Sequence, residues 1–63
     1  MATLTHRSQE WQVKAGMTVR DAILKIGLNP EAVLAVRDGQ LTSEDTRIRD
    51  GDLIKLIAVV SGG

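Results

Sequence analysis

The chain ends Ser61-Gly62-Gly63, and that ending is where its chemistry is concentrated. Two glycines have no side chain to bury and lose much backbone entropy if ordered, so packing is not their use. They predict a flexible, sterically bare C-terminus that enters the active site of another protein. Fraying, common at chain ends, is the plainer alternative. The Gly63 carboxylate is a resonance-stabilised anion and a poor electrophile. It becomes reactive only after activation by something else.

No other group competes for a chemical role. His6 is the single histidine, it has no nucleophile beside it, and it reads as an ordinary strand residue. The pair Asp50 and Asp52 around Gly51 falls far short of the ligand count of a calcium loop and reads as a turn. With no cysteine in the chain, disulfides, thiolate zinc sites and a persulfide of its own are all excluded. No catalytic residue, metal site or bound cofactor is expected. Eight basic and eight acidic residues balance, so no net pull toward nucleic acid or an acidic membrane arises. Trp11 is the only aromatic, which leaves no stacking platform for single strands. The segment Met1 to Arg7 lacks the apolar run of a signal peptide, and no stretch reaches transmembrane length. A cytoplasmic protein is expected.

At 63 residues the chain is a single domain, 1–63, near the lower limit for folding without staples, with residues 61–63 as its tail. Thr3 to Arg7 and Glu10 to Lys14 alternate in character and predict an N-terminal β-hairpin turning near Arg7 to Gln9. Leu4, Trp11 and Val13 are its core candidates. Thr18, followed three residues later by Asp21, resembles a capping box. Val19, Ala22, Ile23 and Ile26 then make one apolar stripe of a helix. Gly27 stops that helix, and Pro30 prevents its continuation. Val33 to Arg37 is a strand, Asp38-Gly39 a two-residue hairpin turn into Gln40 to Thr42, and Ser43 to Ile48 a polar loop. Arg49 to Asp52 turns the chain into a final strand over Leu53 to Val60.

The order β, β, α, β, β, β predicts an α+β domain with one helix covering one face of a sheet. Along the third strand Val33 and Ala35 point one way, Leu34 and Val36 the other. Along the last, Ile54, Leu56 and Ala58 share a face opposite Leu53, Lys55, Ile57 and Val59. One short helix covers only one face. The second apolar row is therefore expected to be exposed in part and to mark a partner-docking site. Scattered surface aliphatics are the plainer alternative.

The runs Gly16-Met17-Thr18-Val19-Arg20-Asp21-Ala22-Ile23-Leu24, Gly27-Leu28-Asn29-Pro30-Glu31, Val36-Arg37-Asp38-Gly39 and Asp50-Gly51-Asp52, ending in Val60-Ser61-Gly62-Gly63, closely resemble the ubiquitin-like sulfur carriers. These are the ThiS and MoaD group, which serve thiamine, molybdopterin and tRNA thiolation (TtuB-like), and the archaeal small modifiers. The match runs from Gly16 to the end. Asp38-Gly39 replaces the family's usual Asn-Gly turn, and the N-terminal hairpin matches only loosely.

The resemblance implies a β-grasp fold with the third and last strands side by side, which would merge Leu34, Val36, Ile57 and Val59 into one partner-docking patch with Lys55 and Arg37 at its rim. It also implies that an E1-like enzyme adenylates Gly63 with ATP. A sulfur donor bearing a persulfide then supplies sulfur, leaving a C-terminal thiocarboxylate for a downstream acceptor enzyme. The chain itself is a co-substrate, not a catalyst. Leu28-Asn29-Pro30-Glu31 and the Val-Ser-Gly-Gly ending look most like the tRNA 2-thiouridine branch. Two alternatives share the activated Gly63: conjugation to lysines of target proteins, and sulfur delivery to thiamine or molybdopterin. A third is a plain binding domain with an incidental Gly-Gly.

Overall fold

In the computed structural model, residues 1–59 are described. Strands β1 (Ala2–His6) and β2 (Gln9–Val13) form the N-terminal hairpin, each one residue earlier than the alternation alone indicates. The slip follows from the turn: Arg7 takes φ 58°, so Arg7-Ser8 close the loop and Gln9 returns to pair with His6. Helix α1 (Val19–Lys25) comes next, then β3 (Val33–Arg37), β4 (Gln40–Thr42) and β5 (Leu53–Ala58). Asp38 and Gly39 both have positive φ, 55° and 78°. That matches the twist of the β3–β4 hairpin and suits Asp-Gly better than most pairs.

The helix starts where its cap predicts. Thr18 Oγ1 accepts the Asp21 N–H at 3.2 Å. Asp21 makes no return bond among the described residues, since its side chain is one methylene shorter than the usual Glu. Two further N–H groups of the first turn, on Val19 and Arg20, donate to the carbonyls of Thr46 and Glu44, both at 2.9 Å. Gly27, at φ 89°, ends the helix, and its N–H donates to the Leu24 carbonyl.

The five strands form one mixed sheet in the order β2-β1-β5-β3-β4. The final strand lies at its centre, parallel to β1 and antiparallel to β3. One face carries Leu4, Val13, Val33, Ala35, Ile54 and Leu56 under the helix residues Val19, Ala22 and Ile23, all buried. Trp11 is only half-buried and packs against this core with Met17, Ile26 and Leu28.

Two core members come from segments whose pattern does not announce them. Ala2 is 1% exposed at the start of β1. Ile48, at the end of the polar loop, is 2% exposed. Its backbone explains this: the Ile48 N–H donates to the Met17 carbonyl at 2.8 Å, and its carbonyl accepts the Gly16 N–H at 2.7 Å. Those bonds clamp the loop to the segment leading into α1, so the side chain must point inward.

Arg37 is not at the rim of the opposite face. It pairs in register with Ile54 and so shares the core side of the sheet. From there its guanidinium donates to Asp52 Oδ2 at 3.0 Å. Asp52 also accepts the Arg49 N–H at 2.8 Å, closing the turn before β5. The Arg49 N–H first, and the Arg37 guanidinium with it, hold the Asp52 carboxyl below its ordinary value of 3.8, against an opposing desolvation. A depressed carboxyl stabilises the fold above its unfolded-state pKa, and the contribution disappears as pH falls through the folded value. Asp52→Asn should therefore lower stability at neutral pH. The gap to wild type should close as pH drops below about 4. Urea titrations of both proteins at a series of pH values check this, and a gap that persists at pH 2 would count against the assignment.

Candidate functional site

The sheet face away from α1 follows from the register. Leu34 pairs with Ile57, and Val36 pairs with Lys55 on one side and Leu41 on the other. Thr3 pairs with Leu53 and Thr5 with Lys55. Thr3 and Thr5 pair in turn with Gln12 and Glu10 of β2. Partners in register point to the same side of a sheet, so these residues share one open surface. Its β2–β1 half is polar and its β5-β3-β4 half is apolar.

Of the four residues of the expected patch, Leu34, Ile57 and Val59 are exposed at 45%, 43% and 40%. Val36 is half-buried, because Leu41 and Lys55 flank it on both sides. Val59 lies just past β5, and its N–H donates to the Ala32 carbonyl at 2.8 Å, so the chain is still held beside β3 when it leaves the sheet. The apolar surface is wider than the four residues of the expected patch. Leu41, 70% exposed, and Leu53, 61% exposed, extend it. Leu41 sits in a three-residue strand too short to show a period, and Leu53 lies at the far end of β5 from Val59. Thr5, Val36, Asp38, Gly39, Leu53, Lys55 and Ile57 line a shallow depression at its centre.

Ser61, Gly62 and Gly63 lie outside the described residues. Gly63 comes four positions after Val59, and a fully extended chain spans at most ~3.6 Å per residue. Gly63 can thus reach no more than ~14 Å from Val59. Whatever acts on its carboxylate must sit close to the apolar face.

Other chemistry-bearing groups are accounted for locally. The Nδ1 of half-buried His6 lies 3.1 Å from the Leu56 carbonyl oxygen, in keeping with a strand residue. The N–H groups that open α1 are bonded within the chain, so they do not form an anion site. No cluster of metal-ligating side chains occurs among the described residues. No helix among them is long and apolar enough to cross a membrane.

A mixed five-stranded sheet with its last strand at the centre and one helix on one face is a β-grasp domain. The ThiS family matches residues 1–63. The sulfur carrier protein TtuB of Thermus thermophilus is 34% identical over 55 residues, covering 87% of this chain and 85% of the relative. The chain belongs to the ThiS family, whose members are small sulfur carriers and not catalysts.

Proposed function

We propose that this protein carries sulfur on Gly63 for tRNA 2-thiouridine synthesis in the cytoplasm. The observation that carries the reading is a Gly-Gly terminus, in a ThiS-family chain, leaving the central strand of a sheet beside its widest exposed apolar surface. An E1-like enzyme uses ATP to convert the Gly63 carboxylate to an acyl adenylate, releasing pyrophosphate. Sulfur at the oxidation level of sulfide, drawn from a persulfide-bearing donor with a reductant, then displaces AMP. The product is a thiocarboxylate, a better nucleophile than the carboxylate it replaces. Absence of a Cβ at positions 62 and 63 lets the terminus enter a narrow channel. Similarity to TtuB and the Leu28-Asn29-Pro30-Glu31 segment support the tRNA branch.

The test is intact mass after incubation with ATP, the source organism's E1-like enzyme and a sulfur donor. A gain equal to one sulfur-for-oxygen exchange is expected at Gly63, and transfer to tRNA follows as 2-thiouridine in digested nucleosides. Ladders on other proteins without thiolated nucleoside would point to protein modification instead. No change in mass would overturn the carrier reading.

In this reading Leu34, Val36, Ile57 and Val59, joined by Leu41 and Leu53, dock on the activating enzyme. Ile57→Asp should leave the isolated fold nearly unchanged, because the position is exposed. Docked, the new carboxylate would be desolvated without a partner. The KM for adenylation should rise tenfold or more, about 1.4 kcal/mol or above. Pyrophosphate exchange beside wild type, with circular dichroism as the fold control, measures it. Unchanged kinetics would reduce the surface to scattered aliphatics.

A further inference from the structure

The apolar half of the open face holds one cation at its centre. Lys55 has Val36 across from it on β3 and Thr5 across from it on β1, with Leu53 and Ile57 two residues away on its own strand. Its ammonium forms no ion pair among the described residues, where the pairs are Met1 with Asp50, Arg20 with Glu44 and Arg37 with Asp52. Two carboxylates are within the neighbourhood. Asp38 lines the same depression, and Glu10 lies beyond Thr5, two strands away, or roughly 9–10 Å at ordinary strand spacing. Exposed to water, an unpaired lysine costs nothing. Covered by a purely apolar surface, it would be a desolvated charge without compensation.

We infer that Lys55 is a specificity-determining residue of this face, and that the adenylating enzyme meets it with a carboxylate set in an apolar surface. The inference rests on the reading above, in which an E1-like enzyme covers the face. The apolar ring supplies area, and the Lys55–carboxylate pair supplies register and selects against surfaces of similar hydrophobicity that lack the acid.

Lys55→Met separates the possibilities, because it keeps length and apolar stem while removing charge. If the enzyme presents a carboxylate, the variant strands it, and the KM for pyrophosphate exchange should rise about tenfold or more. Lys55→Arg should restore KM to near wild type, since the charge returns. Wild-type KM should rise with added salt, and Lys55→Met should lose most of that dependence. Asp38→Asn, a residue well suited to the turn, should raise KM far less than Lys55→Met does. Circular dichroism verifies each fold. A Lys55→Met protein that is adenylated as well as wild type, or better, overturns the inference and means an apolar partner surface. An Asp38→Asn variant that copies Lys55→Met also overturns it, placing the counter-ion of Lys55 in its own chain. Wild type that supports no exchange at all overturns the functional reading and this inference with it, whereas a failure of Lys55→Met alone leaves that reading standing.

Discussion

Deletion of Gly62 and Gly63 is expected to abolish adenylation and thiocarboxylate formation while moving the thermal midpoint by no more than about 4 °C. The two expectations separate because two glycines bring no side chain to a core whose buried members, among the described residues, lie between Ala2 and Leu56. Removing two residues withdraws the terminal carboxylate by up to ~7 Å along an extended chain. On the proposed reading, docking on the apolar face would fix where the tail begins, so the shortened chain could not compensate by sliding. A reacting carboxylate misplaced by even 1 Å loses much of its rate, on the order of a hundredfold. Replacing Gly63 by Ala keeps the length and adds only a Cβ, so it should retain part of the activity. Pyrophosphate exchange, intact mass and a melting curve on the same preparations decide it. A truncated protein that unfolds, or one that still gains sulfur, would show that the tail is not the chemical end of a carrier.

How far the fold could be read in advance depended on whether its signals were local. Thr18 with Asp21, the stripe from Val19 to Ile26, and Gly27 set α1 within one stretch of chain. Asp38-Gly39 did the same for the β3–β4 hairpin, where both residues take positive φ. Period-two alternation separated Leu34 from Ala35 and Ile57 from Leu56, and those faces are the ones the sheet presents. Ile48 had no such signal. A single aliphatic residue in a polar run carries no period, and its burial comes from backbone bonds to Gly16 and Met17 more than thirty residues away. Arg37 shows the same limit from the polar side, because its partner Asp52 lies in another turn.

The candidate face was legible in part for a related reason. Alternation assigns a residue to a side of its own strand but says nothing about which strands are neighbours. Leu41 joins Leu34 and Ile57 only because β3 lies beside the central β5 and β4 beside β3. The central place of β5 also explains why the tail and the apolar face belong together: the strand that bears the tail is itself part of that face. An enzyme that grips the face therefore fixes the root of the tail directly.

Ile23→Ala is expected to cost about 2–5 kcal/mol through lost burial and the cavity left behind. Ile23 is 1% exposed and lies midway along the stripe that α1 lays on the sheet. A domain of this size holds only about 3–5 kcal/mol in total, so the variant should be largely unfolded near physiological temperature. Helix propensity cannot account for the loss, since Ala is the better helix former. The neighbouring Leu24 provides the control. It is 53% exposed on the same helix, and Leu24→Ala should change stability by no more than about 0.5 kcal/mol. Urea denaturation of the two variants beside wild type compares an inward and an outward aliphatic residue one position apart. An Ile23→Ala shift below about 0.5 kcal/mol, or one no larger than that of Leu24→Ala, would mean that α1 does not hold the sheet through this stripe.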